Sequence, residues 1–168
     1  MLSKKAKVLQ KLAGKSLLEH ILCSAEEISS KTSIVVGFDK LSVEKEVSKI
    51  STKAKTYEQK KQIGTADAVR TVIDSINENE KVLILYGDVP LISKNTLESL
   101  CSLNDSVSIL TTNLSDPKGY GRVIKDAKSL VVEIIEEKDT SAEQKEIKEI
   151  FTGVMAVNGK ILKELLPS

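Results

Sequence analysis

The chain of 168 residues carries 25 lysines and arginines against 24 aspartates and glutamates, a formal net charge of +1. This balance gives no electrostatic reason to expect nucleic acid or a membrane as a partner, and the length suits one domain with its own core. No stretch approaches the roughly 20 apolar residues of a membrane span, and no apolar signal region follows Met1, so we expect a soluble, cytoplasmic protein. Cys23 and Cys101 lie in apolar stretches without metal-ligand spacing, which indicates buried free thiols.

Aliphatic runs at residues 35–38, 82–86 and 107–111 alternate with segments of helical periodicity. This alternation predicts an α/β domain with four helices, the first over residues 16–28, whose apolar faces pack on a sheet. The apolar positions at helical spacing are Leu17, Leu18, Ile21, Leu22 and Ala25, then Val43, Val47 and Ile50, then Ala68, Val69, Val72, Ile73 and Ile76, and finally Leu97, Leu100 and Leu103.

The run at residues 81–86, KVLILY, is apolar on both faces. Such a run is typical of a central parallel strand that helices cover on each side. After Asp116 the sequence changes to short apolar runs, RVIKD, LVVEII and GVMAV, separated by polar turns. This second pattern predicts a more antiparallel layer that carries substrate contacts.

Asp88 comes just after the predicted central strand, where open α/β sheets bind ligands. Gly87 allows the backbone to approach a ligand closely, Pro90 fixes the direction of the exit, and Asp88 offers a hard oxygen to Mg²⁺. Aspartates at strand ends also cap turns through side-chain hydrogen bonds. These residues alone leave both interpretations open.

A second polar cluster consists of Gln59, Gln62, Gly64 and Thr65, which precede the third predicted helix. Thr65 is a candidate N-cap, and the amides of the first helical turn could face a nucleotide. The two glutamine side chains offer the donors and acceptors that recognition of a uracil edge requires. An ordinary capped helix would have the same appearance.

Two further segments carry glycine or charge at strand ends. Residues 116–122, DPKGYGR, form a turn with two glycines, and residues 136–139, EEKD, end the next apolar run. A plain hairpin and a solvated turn would look similar. The lone His20 lies on the apolar first helix and receives no catalytic role.

Read in order, six segments resemble successive motifs of the N-acetylglucosamine-1-phosphate uridylyltransferase family. They are KVLQKLAGKSLLEHIL, EQKKQIGTADAV, VLILYGDVPLISKNTLESL, DPKGYGRVIKD, VEIIEEKD and IFTGVMAVNG, and together they extend over essentially the whole chain. The resemblance implies a Rossmann-like nucleotidyltransferase fold, a mixed and mostly parallel sheet flanked by helices. It further implies that residues 1–168 are part of a uridylyltransferase domain, which forms UDP-N-acetylglucosamine and pyrophosphate from uridine triphosphate (UTP) and N-acetylglucosamine 1-phosphate.

The resemblance assigns the nucleotide side of the site to five residues. Gln59 and Gly64 would contact the uracil, with Thr65 beside them. Asp88 would hold the Mg²⁺ that bridges the phosphates, and Lys7 would lie near the phosphates. This chemistry depends on positioning and charge neutralisation and needs no protein nucleophile.

On the sugar side the resemblance implies that Tyr86 and Gly87 shape the pocket. The backbone of Gly121 would bind the sugar, and Glu136 would accept hydrogen bonds from it. Phe151 stands where the family has a sugar-binding Asn, and an aromatic ring lacks the amide's paired donor and acceptor. Phe151 therefore favours an alternative, a related nucleotidyltransferase of changed sugar specificity.

The family's first strand, its Gly-rich signature L-A-A-G-x-G-T-R-M, its second metal-binding Asn and its hexapeptide-repeat acetyltransferase domain have no counterpart in the 168 residues, and Ala6 replaces a proline. We therefore expect impaired turnover from the chain alone, and a non-catalytic nucleotide-binding remnant is a further alternative. Since Met1 aligns with the methionine of that signature, the codons upstream are predicted to encode an aliphatic strand and a Gly-rich turn. The motifs do not set the oligomeric state, and they allow a homo-oligomer.

Overall fold

The computed structural model describes residues 5–166 and contains nine strands and five α-helices within that range. The first half comprises β1 (Lys11–Leu12), β2 (Lys15–Ser16), α1 (Leu17–Glu26), β3 (Ser33–Val36), α2 (Lys40–Ile50), β4 (Lys55–Glu58) and α3 (Thr65–Arg70). The second half comprises β5 (Lys81–Ile84), α4 (Lys94–Ser102), β6 (Val107–Asn113), β7 (Arg122–Lys125), β8 (Val131–Ile135), β9 (Glu149–Asn158) and α5 (Gly159–Leu165). Short 3-10 turns lie at Lys7–Leu9, Ile73–Ser75, Glu137–Asp139 and Gln144–Glu146.

The strands form three separate sheets. β1 and β2 make a small antiparallel hairpin, and β3 pairs with β4 in parallel. The five remaining strands form one sheet, in which β9 pairs antiparallel with β5, β6 and β7, and β8 pairs with β7. The antiparallel layer predicted after Asp116 is therefore confirmed.

Capping side chains explain where two of the helices begin. The Ser16 hydroxyl accepts a hydrogen bond from the Glu19 amide at 3.1 Å, and the Ser93 hydroxyl accepts one from the Thr96 amide at 3.2 Å. Each bond satisfies a backbone donor of the first turn. The apolar faces of α1 and α4 are buried as predicted in their central residues, whereas Leu17 and Ala25 are half-buried and Leu103 lies beyond α4 and is 47% exposed.

The third helix is shorter than its apolar stripe predicted. α3 ends at Arg70, and a 3-10 turn at Ile73–Ser75 completes the stripe with Ile73 buried. The N-cap is Gly64, whose φ of 127° favours glycine, and no side chain caps the helix. The prediction of Thr65 as N-cap is wrong because Thr65 is already the first helical residue.

Two other predictions are corrected by the environment of the residues. β5 is not a central parallel strand, because among the described residues its one strand partner is β9, which runs antiparallel. Cys23 is an exposed free thiol rather than a buried one, and Cys101 is a half-buried free thiol. Across residues 5–166, the helices are all too short or too polar to cross a membrane.

Candidate functional site

A cleft of about 1010 Å³ lies between β3 and β5. Six of the predicted site residues line it: Lys7, Gln59, Gly64, Thr65, Tyr86 and Gly87. Asp88 follows directly after this group, whereas Gly121 and Glu136 lie outside the lining, against β7 and β9. The cleft therefore brings together residues predicted on the nucleotide side with Tyr86 and Gly87, which were predicted on the sugar side. The other two predicted sugar-side residues, Gly121 and Glu136, lie in the antiparallel layer.

Lys7 and Asp88 form an ion pair that joins the two ends of the site. The Lys7 Nζ lies 2.7 Å from Asp88 Oδ2, and the Lys7 side chain remains 61% exposed. The hydrogen bond to Asp88, together with the charge of that carboxylate, raises the pKa of Lys7 above its ordinary value. A cation therefore already stands beside the carboxylate that was predicted to hold a metal.

Gly87 lies against the N-terminal turn that carries Lys7. A Cβ on Gly87 would lie 3.2 Å from Val8 Cγ1, which is tighter than ordinary packing, and 3.6 Å from Leu18 Cδ1, which is an ordinary contact. The absence of a side chain lets the Lys7–Leu9 turn approach the end of β5, because the backbone there meets the turn directly. Gly87 thus permits a close approach of the protein's own N-terminal turn, while its predicted approach to a ligand stays a prediction.

The side-chain amide of Gln59 is oriented by the loop that precedes α3. Its Nε2 donates to the Gly64 carbonyl at 3.0 Å and to Asp67 Oδ2 at 2.9 Å. An amide nitrogen has two hydrogens, so both donors are engaged and the Oε1 acceptor is the group available to a ligand. Gln62 lies apart from this arrangement, with its side chain against Gly37.

Thr65 and Tyr86 connect α3 to β9. Their hydroxyls lie 2.8 Å apart, and the Tyr86 ring packs on Gly153 so closely that a Cβ there would lie 1.8 Å from Cε2. Gly153, with φ of 86°, was not predicted as a site residue. Its signal in the sequence was a glycine within an aliphatic run, which often marks close approach of another group.

The sugar-side residues form a second group at β7 and β9. The Gly121 carbonyl accepts a hydrogen bond from the Phe151 amide at 3.1 Å. A Cβ on Gly121 would lie 3.1 Å from Ile134 Cγ2 and 4.0 Å from Glu136 Oε1. Gly121, Glu136 and Phe151 are therefore neighbours, as the resemblance implies.

An ion pair that sequence reasoning missed holds this group together. Arg122 is 2% exposed, and its Nη2 lies 2.7 Å from Glu137 Oε2. Burial opposes ionisation of Glu137, but hydrogen bonds from Arg122 and from the Gly119 amide outweigh it and lower the pKa of Glu137. Because Arg122 follows Gly121 and Glu137 follows Glu136, the pair fixes the spacing of the two site residues.

The side chains at the site could hold Mg²⁺ only together with ligands from outside the protein. Within residues 5–166 no group of three or more His, Cys, Asp or Glu side chains converges on one point. Mg²⁺ in nucleotide-dependent enzymes uses one or two carboxylates together with substrate phosphates and waters. Asp88 offers one such carboxylate, from which the Lys7 ammonium, 2.7 Å away, would first have to move, and the nucleotide would supply further oxygens.

Comparisons with known proteins identify the family of the chain. Residues 2–131 match the family described as the MobA-like NTP transferase domain. The protein "Bifunctional protein GlmU" of Hydrogenovibrio crunogenus is 43% identical over 99% of the chain, and that of Francisella philomiragia is 44% identical over 100%. The chain spans 37% of the length of each of these two curated relatives. The resemblance indicated by the motifs is thereby confirmed.

Solved structures confirm the nucleotidyltransferase fold. A putative glucose-1-phosphate thymidylyltransferase from Bacillus anthracis has a TM-score of 0.75 at 15% identity, covering 96% of this chain and 66% of that one. HddC from Yersinia pseudotuberculosis has a TM-score of 0.70 at 17% identity, covering 96% and 71%. Since the family match includes more than half of its residues, the chain belongs to the MobA-like NTP transferase domain family.

Proposed function

We propose that this chain is part of a uridylyltransferase domain that binds UTP and N-acetylglucosamine 1-phosphate and forms UDP-N-acetylglucosamine and pyrophosphate. The observation that carries the proposal is the orientation of Gln59, whose Nε2 is occupied by Gly64 and Asp67. The remaining acceptor, Oε1, complements the N3–H donor of uracil and opposes the N3 acceptor of cytosine. The identity of 43% to 44% with the curated relatives supports the same assignment.

The reaction requires no covalent protein intermediate. A phosphate oxygen of the sugar phosphate forms a bond to the α-phosphorus of UTP, and the bond from that phosphorus to the β-phosphate oxygen breaks. Pyrophosphate leaves with the electron pair. Catalysis by the protein consists of holding the two phosphates in line and neutralising charge.

Lys7 and Asp88 are the residues suited to that task. The Lys7 ammonium, 2.7 Å from Asp88 and largely exposed, can turn from the carboxylate to a phosphate oxygen when nucleotide enters. Asp88 would then hold Mg²⁺ through a carboxylate oxygen, and the ion would offset phosphate charge when bound. The raised pKa of Lys7 keeps its side chain cationic throughout the neutral range.

Tyr86, Gly121 and Glu136 would surround the sugar. Phe151 favours a second candidate, a nucleotidyltransferase for a sugar phosphate without the acetamido group. The Phe151 amide supports the Gly121 carbonyl, so Phe151→Asn should change the side chain while the backbone bond remains. A substrate panel separates the two candidates, since preference of the unmodified chain for N-acetylglucosamine 1-phosphate over glucose 1-phosphate supports the first and the reverse preference supports the second. Phe151→Asn should improve use of the acetamido sugar, and no improvement would show that the pocket is built differently. Both candidates act on water-soluble substrates. A cytoplasmic location of the protein is therefore part of the proposal.

Nucleotide binding provides the direct test, because it depends on residues that the structure describes. We expect calorimetry with Mg²⁺ to show tighter binding of UTP than of CTP. Gln59→Leu should lower UTP affinity about tenfold and remove the preference, since one hydrogen bond to a base edge is lost. Gln144→Leu, a change of the same kind on a distant 3-10 turn, serves as control. Equal affinity of the unmodified chain for the two nucleotides would reject uracil recognition.

Asp88→Asn tests the metal-binding part of the proposal. The substitution preserves shape and removes the charge, so Mg²⁺ should no longer strengthen UTP binding while the circular dichroism spectrum is retained. Asp74→Asn, at an exposed carboxylate outside the cleft, is the matched control. An undiminished Mg²⁺ effect in Asp88→Asn would show that Asp88 is only a turn residue.

A further inference from the structure

Asp67 is the charged residue that holds the side chain of Gln59. Asp67 Oδ2 accepts a hydrogen bond from Gln59 Nε2 at 2.9 Å, and this contact is partly buried. Asp67 lies in the first turn of α3, where a carboxylate also favours the helix by its charge. Gln59 lines the cleft, whereas Asp67 lies behind it, outside the lining. Asp67 would therefore act on a ligand in the cleft through Gln59.

The two partners of Gln59 Nε2 select one of the two orientations of the side-chain amide. A glutamine amide can rotate by half a turn about its last side-chain bond, which exchanges the positions of Oε1 and Nε2. In the observed orientation, Nε2 donates to the Gly64 carbonyl at 3.0 Å and to Asp67. Rotation would place Oε1 against two oxygens that only accept hydrogen bonds, one of them charged. Because such contacts are repulsive, Oε1 stays directed away from Gly64 and Asp67.

Further contacts within the helix hold Asp67 itself in place. Its Oδ1 lies 3.7 Å from Arg70 Nη1, so the carboxylate contacts a cation on one side and Gln59 on the other. The Asp67 carbonyl accepts hydrogen bonds from the Thr71 amide at 3.1 Å and from the Thr71 hydroxyl at 3.0 Å. An ionised carboxylate has no hydrogen to donate. Asp67 is therefore a well-held partner that can only accept from Gln59.

We propose that Asp67 is a positioning residue that sets the base preference of the nucleotide site, an inference that rests on the proposed role of Gln59 in uracil recognition. The Oε1 acceptor that Asp67 directs toward the ligand complements the N3–H of uracil, whereas N3 of cytosine is itself an acceptor. Cytosine would require the rotated amide, with Nε2 toward the base. Asp67 thus disfavours CTP because it opposes that rotation.

Exchange of the Asp67 carboxylate for an amide tests this role. Asp67→Asn keeps the shape of the side chain and adds a donor, which can pair with Gln59 Oε1 once the Gln59 amide has rotated. We expect calorimetry of the 168-residue chain with Mg²⁺ to show CTP binding about threefold tighter in Asp67→Asn than in the unmodified chain. The preference for UTP over CTP should fall about fivefold, because a hydrogen bond to a charged acceptor is stronger than one to a neutral acceptor.

The ratio of the two affinities separates positioning of Gln59 from support of the fold. Loss of a contact that only stabilises α3 would weaken the binding of both nucleotides and leave the ratio unchanged. Glu58→Gln is the matched control, since Glu58 precedes Gln59 in the chain and its carboxylate accepts from Lys40 Nζ at 2.8 Å. This control removes the same charge near the site, and its ratio of UTP to CTP affinity should equal that of the unmodified chain.

Uracil recognition and the role of Asp67 fail by different results. Equal binding of UTP and CTP by the unmodified chain would reject uracil recognition, and the role of Asp67 with it. A preference for UTP that Asp67→Asn retains in full would overturn the role of Asp67 alone. If Asp67→Asn does not fold by circular dichroism, Asp67→Ala takes its place, since alanine favours a helix and also removes the charged acceptor. The preference should fall about fivefold there too, and full retention would again overturn the role.

Discussion

β9 and β3 have similar aliphatic sequences but occupy contrasting positions. β9 has strands on both edges, and Val154 and Ala156 on it are 0% exposed. Among residues 5–166, β3 has a strand on one edge only, and Ile34 and Val35 are half-buried. The difference shows that the burial of an aliphatic strand depends on its neighbours as well as on its own hydrophobicity.

The same contrast divides the candidate site. Gln59, Gly64 and Thr65 lie beside the open cleft, where a ligand can reach them. Gly121 and Glu136 lie on the closed antiparallel layer, where Arg122 and Glu137 fix their spacing. Tyr86 contacts both regions, since its hydroxyl lies beside that of Thr65 and its ring packs on Gly153. We therefore expect substitutions at these contacts to disturb both regions.

Gly153→Ala should have the largest effect on stability. A Cβ there would lie 1.8 Å from the Tyr86 ring, and φ is 86°. The strained backbone and the displaced ring together should cost roughly 3 kcal/mol in the free energy of unfolding. The displaced ring should also lose the Thr65 contact. Urea denaturation measures the effect.

The control for this variant is Gly119→Ala. Gly119 has nearly the same φ, 87°, but no atom lies within 4 Å of an added Cβ. Gly119→Ala should lower the free energy of unfolding by only about 1 kcal/mol, because the strain lies in the backbone alone. Similar losses in both variants would show that the contact with Tyr86 contributes nothing.

A matched pair of valines compares the two strands directly. Val154→Ala on β9 should cost about 2 kcal/mol, because two methyl groups leave a fully buried site. Val35→Ala on β3 should cost about 0.5 kcal/mol, since Val35 is half-buried and lines the cleft. Equal costs in denaturant titrations would show that Val35 is as well packed in solution as Val154.

The sequence predicted well those features that depend on local pattern. The helical faces of α1 and α4, the antiparallel layer, and the neighbourhood of Gly121 with Glu136 all appear in the structure. Periodicity encodes which face of a helix is apolar, and the order of motifs encodes which loops meet at a site.

The sequence could not predict features that depend on distant partners. The run at residues 81–86 suits a central strand, but its neighbours decide how it pairs, and β9 lies some seventy residues later in the chain. The stripe from Ala68 to Ile76 did not reveal that the helix ends at Arg70, since a 3-10 turn preserves the apolar face. The contact of Tyr86 with Gly153 likewise joins residues that no local pattern connects.

The smallest expected effect concerns the ion pair between Arg122 and Glu137, which lies beside Gly121 and Glu136. The pKa of Glu137 is lowered in the folded state, so its ionised form stabilises the fold above the ordinary value of 4.5. That contribution should be lost as pH falls through the lower, folded-state pKa. Glu137→Gln should therefore be less stable than the unmodified chain at pH 7, and the two should converge in acid.

The environment of Arg122 explains why Glu137→Gln should be less stable than the unmodified chain at pH 7. Arg122 is 2% exposed, and its Nε is buried with no hydrogen-bond partner among the described residues. Without the Glu137 carboxylate the guanidinium charge stays buried and loses its counter-charge. Glu133→Gln, on the exposed part of β8, removes the same charge without a buried partner and is the control. A stability difference between Glu137→Gln and the unmodified chain that persists unchanged from pH 7 to pH 3 would mean that shape, rather than charge, holds Gly121 beside Glu136.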